Sequence, residues 1–168
     1  DTLEQMRQKL KESMQAYSDE RGEMDLQDNL LRQAAETLEF TPSQTQINAE
    51  VENQIQNLSA QLAQQGLNLE MYCQFMSTTV EQLKEDARPN AEMSIRIQAA
   101  IEQIVYSENL EASEEEIGQA IALIAQQNRM TVEQLKPYFS PEFEAAVERS
   151  VLTTKVMGLI REAAVIEE

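Results

Sequence analysis

Histidine and tryptophan are absent from this 168-residue chain, and cysteine occurs once, as Cys73. Without histidine there is no Ser–His or Cys–His catalytic pair and no imidazole ligand for a metal. A single cysteine forms no internal disulfide, which fits a reducing compartment. The four glycines are isolated from one another, so no Gly-rich loop cradles a phosphate. Aromatic residues make up 5% of the chain, and no apolar run approaches the ~18 residues that a membrane-crossing helix needs. Positive charge is also scarce. Thirteen Lys and Arg stand against thirty Asp and Glu, a formal net charge of −17. That balance argues against nucleic acid and against anionic membranes as partners, because both need a concentrated cationic face.

What is present reads as helix. The hydrophobic fraction of 42% is enough for a core, and Glu, Gln, Ala, Leu and Ile dominate with no strand pattern beside the helical periods. The chain opens on a charged amphipathic pattern, without methionine and without a signal peptide. The expectation is a processed or excised piece of a cytoplasmic protein. Asn57-Leu58-Ser59 matches a glycosylation sequon, which carries no meaning without a secretory signal.

Leu3, Leu10, Tyr17, Met24, Leu31 and Leu38 recur every seven residues. The accompanying register of Met6, Ser13, Glu20, Gln27 and Ala34 is half polar. This predicts one long amphipathic helix with a narrow stripe, bent or frayed at Gly22. Thr41 and Pro42 suit the cap and first position of a second helix, carried by Ile47, Val51, Ile55, Leu58 and Leu62 and stopped at Gly66. A brief apolar helix follows Asn68. A longer one holds Ile97, Ala100, Ile101, Ile104 and Val105 and ends near Asn109. Ser113 and Glu116 form a capping box ahead of Ile117, Ile121 and Ile124, and this helix closes at Asn128. Ser140-Pro141 starts the last helix, with Val147, Val151, Leu152, Val156, Leu159 and Ile160 as its apolar positions.

The hexapeptide Thr-Val-Glu-Gln-Leu-Lys occurs twice, at Thr79–Lys84 and Thr131–Lys136, each with a proline ten residues after its threonine, Pro89 and Pro141. A repeated helical unit predicts two similar protrusions or layers that lean on the long opening helix. Thr78 or Thr79 caps the first unit, with Glu81 or Gln82 completing a box, and Pro89 breaks or kinks it.

Cys73 lies in an apolar cluster with no basic neighbour in sequence and reads as an inert packed thiol. The Glu114–Glu116 run lacks the alternating ligands and glycine of a calcium loop and reads as a helix start, where the macrodipole favours carboxylates. Methionine and aromatic residues gather in the two short segments: Met71, Tyr72, Phe75 and Met76 in the first, Met130, Tyr138 and Phe139 in the second. Two readings stand for them. They form the cores of short helices, or part of them lines an adaptable apolar surface that repacks against different partners.

The order of the motifs resembles the C-terminal domain of bacterial trigger factor, with the flavour of Gram-positive members. The matching residues are Gly66-Leu-Asn-Leu-Glu-Met-Tyr72, Thr79-Val-Glu-Gln-Leu83, Ala99-Ala-Ile-Glu-Gln-Ile104, Glu108-Asn-Leu-Glu-Ala-Ser-Glu-Glu-Glu-Ile117, Met130-Thr-Val-Glu-Gln-Leu135 and Lys155-Val-Met-Gly-Leu-Ile160. The long first helix and Pro42 to Val51 fit the same order. The resemblance implies an all-α fold, an elongated multi-helix body with two helical arms, trigger factor C-terminal or SurA peptide-binding-like. It divides the chain into a body helix over 1–41, a first arm over 42–91, a second arm over 92–150 and a return helix over 151–168. The chain departs from the pattern at Arg88-Pro89, where relatives continue as charged helix.

The function implied is an ATP-independent chaperone module that holds unfolded or nascent polypeptides in an apolar cradle, with no cofactor and no chemical step. Leu69, Tyr72, Phe75, Met76, Leu83, Ile124, Met130, Leu135, Tyr138 and Phe139 would line or border that cradle, and a homodimer is possible. Trigger factors dock on the ribosome and isomerise prolyl bonds through other domains. This sequence contains neither a Gly-Phe-Arg docking loop nor a β-rich region, so those activities do not transfer to it. Two other readings are a helical adaptor for one folded partner and a periplasmic or surface chaperone with a related helical core.

Overall fold

The computed structural model describes residues 3–164, and the described residues form α-helices and no strand. The order is α1 Leu3–Thr37, α2 Gln44–Gln64, α3 Leu69–Met76, α4 Val80–Ser107, α5 Glu114–Gln127, α6 Val132–Leu135 with a 3₁₀ turn Lys136–Tyr138, and α7 Pro141–Ala163. The all-α expectation holds. Two compact units emerge, one of Ala34–Glu102 and one of Asp1–Gln33 with Gln103–Glu168.

In the first of these units, α2 begins two residues later than the Thr41-Pro42 reading. Ser43 is the cap, because it can make both halves of a box: its hydroxyl accepts from the Gln46 N–H at 3.3 Å, and the Gln46 carboxamide oxygen accepts from the Ser43 N–H at 2.9 Å. Pro42 is buried just ahead of it. The helix ends at Gly66, whose φ of 74° only glycine adopts freely, with the Leu67 N–H on the Leu62 carbonyl at 2.9 Å. Asn68 then caps α3 through the Met71 N–H at 2.8 Å. Ile47, Val51 and Ile55 of α2 close on Ala91 of α4, with Leu69, Leu83, Ala87 and Ile95 packed around them.

Pro89 does not break α4, which runs unbroken from Val80 to Ser107 and across the 91/92 division expected between the arms. A mid-helix proline costs about 3 kcal/mol, but tertiary ties on both sides hold this one. Lys84 pairs with Glu52, Arg88 donates to Asn48 at 2.9 Å and Gln44 at 2.6 Å, and Ala91 is fully buried. Thr79 caps the helix by accepting from the Gln82 N–H at 3.1 Å, while the Gln82 carboxamide turns forward to Asp86. Farther along, Arg96 donates to the Ala35 carbonyl at 3.2 Å, giving the last turn of α1 the cation that its own sequence lacks.

In the other unit, α5 packs against α6 and α7. Ser113 and Glu116 form the expected box, and Lys155 of α7 reaches both the Glu116 carboxylate at 2.7 Å and the Glu111 carbonyl at 2.9 Å. Thr131 and Gln134 make a third box at α6. The two hexapeptides therefore start helices of very different length. The first opens 28 residues of helix, and the second only four before the 3₁₀ turn. Pro137, which has no counterpart in the first copy, removes the next N–H and ends the α pattern. The expectation of two similar layers is corrected accordingly.

The last helix starts on Ser140 and Pro141 as read and buries Val147, Val151 and Val156. Residues 165–168 of the expected return helix lie outside the described residues. Arg161 pairs with Glu23 of α1, beside a cleft lined by Leu26, Leu30, Met157 and Gly158. Helix α1 passes through Gly22 without interruption. Its seven-residue stripe is not buried along its length: Leu10, Tyr17 and Met24 are exposed, Leu31 and Leu38 half-buried, and the Leu3, Met6 and Glu20 side chains lie outside the described residues. Three helices end on left-handed residues that are not glycine, Ser77, Asn109 and Arg129 at φ 53°, 49° and 55°.

Two expectations follow. Replacing the exposed Pro89 by alanine restores a helix N–H without disturbing the buried face, so Pro89→Ala stabilises the protein by about 2–3 kcal/mol in urea unfolding. The Lys155 ammonium, then the Ser113 N–H and hydroxyl, hold the Glu116 carboxyl at about 2 instead of its usual 4.5. A depressed carboxyl stabilises the fold fully above its unfolded value and loses that effect as pH falls through the folded one. The melting-temperature gap between the protein and Glu116→Gln is therefore present near neutral pH and closes as the pH is lowered from about 4.5 to about 2.

Candidate functional site

Apolar side chains that find no interior position mark the candidate surface. In the Ala34–Glu102 unit, α3 is eight residues long and amphipathic, so it turns Cys73 inward and its opposite edge outward. Phe75 is 85% exposed, Met76 54% and Met71 50%, with Leu67 just before them also exposed. Tyr72 is half-buried, and Leu69 and Leu83 are half-buried against the Ile47–Val51–Ile55 core. Thus Phe75 and Met76 are open to solvent, while Leu69 and Leu83 belong to the edge of the core. Met71 belongs to the patch and was absent from the ten candidates; its spacing of four from Phe75 is the signal that places it there.

In the other unit, Tyr138 is 67% exposed on the 3₁₀ turn, and Leu135 is only 7% exposed. Leu135 therefore anchors α6 in the interior and offers nothing to a ligand. Ile124, Met130 and Phe139 are half-buried. Phe139 stacks on Phe143 with ring centroids 5.0 Å apart, which stiffens the turn that presents Tyr138. Leu123, another exposed residue outside the ten candidates, borders a groove between α5 and α7 with Ala120 and Val151. A larger open groove of about 510 Å³ runs between α2 and α4, lined by Phe40, Ala49, Ile95 and Ala99 and edged by Glu50 and Glu102.

The carboxylates do not assemble into a centre. Among the described residues no three His, Cys, Asp or Glu side chains converge as metal ligands would, and no described helix is long and apolar enough to cross a membrane. What the surface offers is contact area. Burying a Phe or Met side chain yields roughly 1.5–3 kcal/mol, so a patch of three supplies at most about 4.5–9 kcal/mol before the cost of association. Association costs at least ~4 kcal/mol, so any contact made through such a patch alone is weak and exchangeable.

Comparison with known proteins agrees with this architecture. The family described as bacterial trigger factor protein (TF) C-terminus matches residues 2–162. The chain belongs to that family, which makes it a chaperone module and not an isomerase domain. The trigger factor of Halalkalibacterium halodurans is 30% identical over 142 residues, 84% of this chain and 33% of that protein. That of Bacillus cytotoxicus is 30% identical over 135 residues, 80% of this chain and 32% of that protein. The Shouchella clausii protein is 31% identical over 136 residues, covering 81% and 31%. The chain thus spans about a third of the length of the curated relatives it matches. No solved structure matches it.

Cys73 is buried and unpaired in this arrangement. With α3 folded its thiol reacts with a water-soluble disulfide reagent at least about a hundredfold more slowly than in the urea-unfolded chain. Equal rates in the two states would show that α3 does not hold Cys73 against the core.

Proposed function

We propose that this module binds unfolded or nascent polypeptide segments without ATP, through separate exposed apolar patches and not through one closed pocket. The observation that carries the reading is the Met71–Phe75–Met76 edge of α3, an apolar patch held open on a short, well-capped helix. Tyr138 and Leu123 offer a second contact region in the other unit. In this reading the α3 patch belongs to the first arm, 42–91, and Tyr138 and Leu123 to the second, 92–150. A client that reaches both gains affinity by linkage while each contact still exchanges quickly. Methionine adapts to clients of different shape, and the net charge of −17 keeps loaded modules from collapsing onto one another. Ribosome attachment and prolyl isomerisation belong, in this proposal, to other parts of longer relatives, and cytoplasmic clients are the natural cargo.

The test is light scattering of a chemically denatured globular enzyme diluted into buffer with increasing amounts of this protein. Near-stoichiometric protein suppresses aggregation at low and at moderate salt. Phe75→Ser combined with Met76→Ser raises the concentration needed for half-suppression about tenfold, as loss of ~1.4 kcal/mol or more of apolar contact requires. Both positions are on the surface, so the circular dichroism spectrum stays unchanged. Absence of suppression at either salt concentration refutes the holdase reading.

A further inference from the structure

Thioether sulfur is the reactive group that α3 presents to solvent. Among the described methionine side chains, Met14, Met24, Met71 and Met76 are 64%, 60%, 50% and 54% exposed, while Met93, Met130 and Met157 are half-buried. Two of the four open ones bracket Phe75 in sequence, Met71 one helical turn before it and Met76 directly after it. Cys73, the single thiol of the chain, is buried on the inward side of the same helix. An oxidant in solution therefore meets the thioethers first. The helix does not depend on either of them for its shape. Its start is held by the Asn68 carboxamide oxygen, which accepts from the Met71 backbone N–H at 2.8 Å. Its end is held by the Ser77 and Thr78 N–H groups on the Gln74 and Cys73 carbonyls, at 3.2 and 2.9 Å. Cys73 is its buried residue, and Leu69 its contact with the Ile47–Val51–Ile55 core. A change at the two sulfurs alters the surface and leaves the fold in place.

We propose that Met71 and Met76 are sites of reversible sulfoxidation, through which a peroxide lowers the affinity of the α3 edge for unfolded chains. This rests on the client-binding reading above. A sulfur lone pair attacks one oxygen of hydrogen peroxide, the O–O bond breaks and an S–O bond forms. The proton of the transferred hydroxyl goes to the departing hydroxide, which leaves as water. Sulfur loses two electrons and the peroxide gains them. The product is a polar hydrogen-bond acceptor where an apolar, flexible thioether stood. A client that covers it must strip its water without bringing a fixed donor, and it meets this cost on both sides of Phe75. The contact region of the other unit, Tyr138 and Leu123, offers no thioether of its own, so part of the binding persists. A methionine sulfoxide reductase with a dithiol restores the thioether, releasing water and leaving a disulfide, which makes the change reversible.

The test treats the folded chain with hydrogen peroxide, then with dithiothreitol to reverse thiol oxidation, and maps its peptides by mass spectrometry. Met14, Met24, Met71 and Met76 gain oxygen ahead of Met93, Met130 and Met157. In light scattering with a denatured client, the oxidised chain needs about tenfold more protein for half-suppression. Its circular dichroism spectrum is unchanged, and the reductase restores the original value. Met71→Leu with Met76→Leu suppresses equally before and after peroxide, whereas Met14→Leu with Met24→Leu loses suppression as the original chain does. Slow oxidation of Met71 and Met76 overturns the proposal. So does a loss that the Met71→Leu and Met76→Leu pair fails to prevent, or one that accompanies unfolding. Suppression that oxidation leaves untouched refutes this proposal alone, whereas absence of suppression before oxidation refutes the client-binding reading and this proposal with it.

Discussion

Small side chains at the helix crossings govern this protein. Ala35 and Ala91 are wholly buried, Ala100 and Ala125 nearly so, and the largest fully buried side chain is a valine, Val156. The buried hydrophobic residues are otherwise valine, isoleucine, leucine and one cysteine, and among the described residues no Phe, Met or Tyr is buried. Few positions remain in which a Phe, Met or Tyr side chain could be covered. The long apolar residues that the composition supplies are therefore left at edges and turns, as at Phe75, Met76, Tyr106 and Tyr138. The proposed function rests on this same feature, since the residues it assigns to client contact are ones the interior leaves uncovered.

Thin cores need other ties, and the few cations provide them. Of thirteen Lys and Arg, Lys84, Arg88, Arg96, Lys155 and Arg161 each reach from one helix to another element, to Glu52, Asn48 and Gln44, the Ala35 carbonyl, Glu116 and Glu23. Surface pairs of this kind contribute little singly, typically under about 1 kcal/mol. Their value here is positional. Lys155 joins a helix start to α7, and Arg96 joins a helix end to α4, so each fixes an angle that alanine contacts leave loose. Across elements, Lys84, Lys155 and Arg161 find carboxylates, whereas Arg88 and Arg96 bond to carboxamide and carbonyl oxygens, and the Arg96 Nε is buried without a partner.

Local signals were the legible part of this fold. Ser113, Thr131, Ser140, Asn68 and Gly66 each mark a helix end through bonds made within a few residues, and each does so in the structure. At the start of α2 the Thr41 reading gave way to Ser43, which bonds reciprocally with Gln46. Pro89 and Pro137 were harder, because one is overruled by contacts from α2 and the other acts on a sequence that otherwise copies a long helix. The candidate surface was least legible. Leu135 and Tyr138 lie three residues apart in one short segment, yet one is interior and the other open. Periodicity identifies an apolar face on α1 but carries no information on whether anything lies against it. Coverage is a property of distant chain, which spacing alone does not encode.

The left-handed helix ends have a further meaning. With only four glycines available, Ser77, Asn109 and Arg129 hold the positive φ angles that end α3, α4 and α5. Asparagine tolerates that geometry, but serine and arginine hold it at a cost of roughly 1–2 kcal/mol each. Such strain is relieved as soon as the adjoining turn unwinds, so the hydrogen bonds nearest these joints are the first to open. Ser77 sits immediately after the helix that bears Phe75. A guest pulling on that helix would meet a hinge already partly tensioned, and the same joint would let the helix re-form once the guest departs.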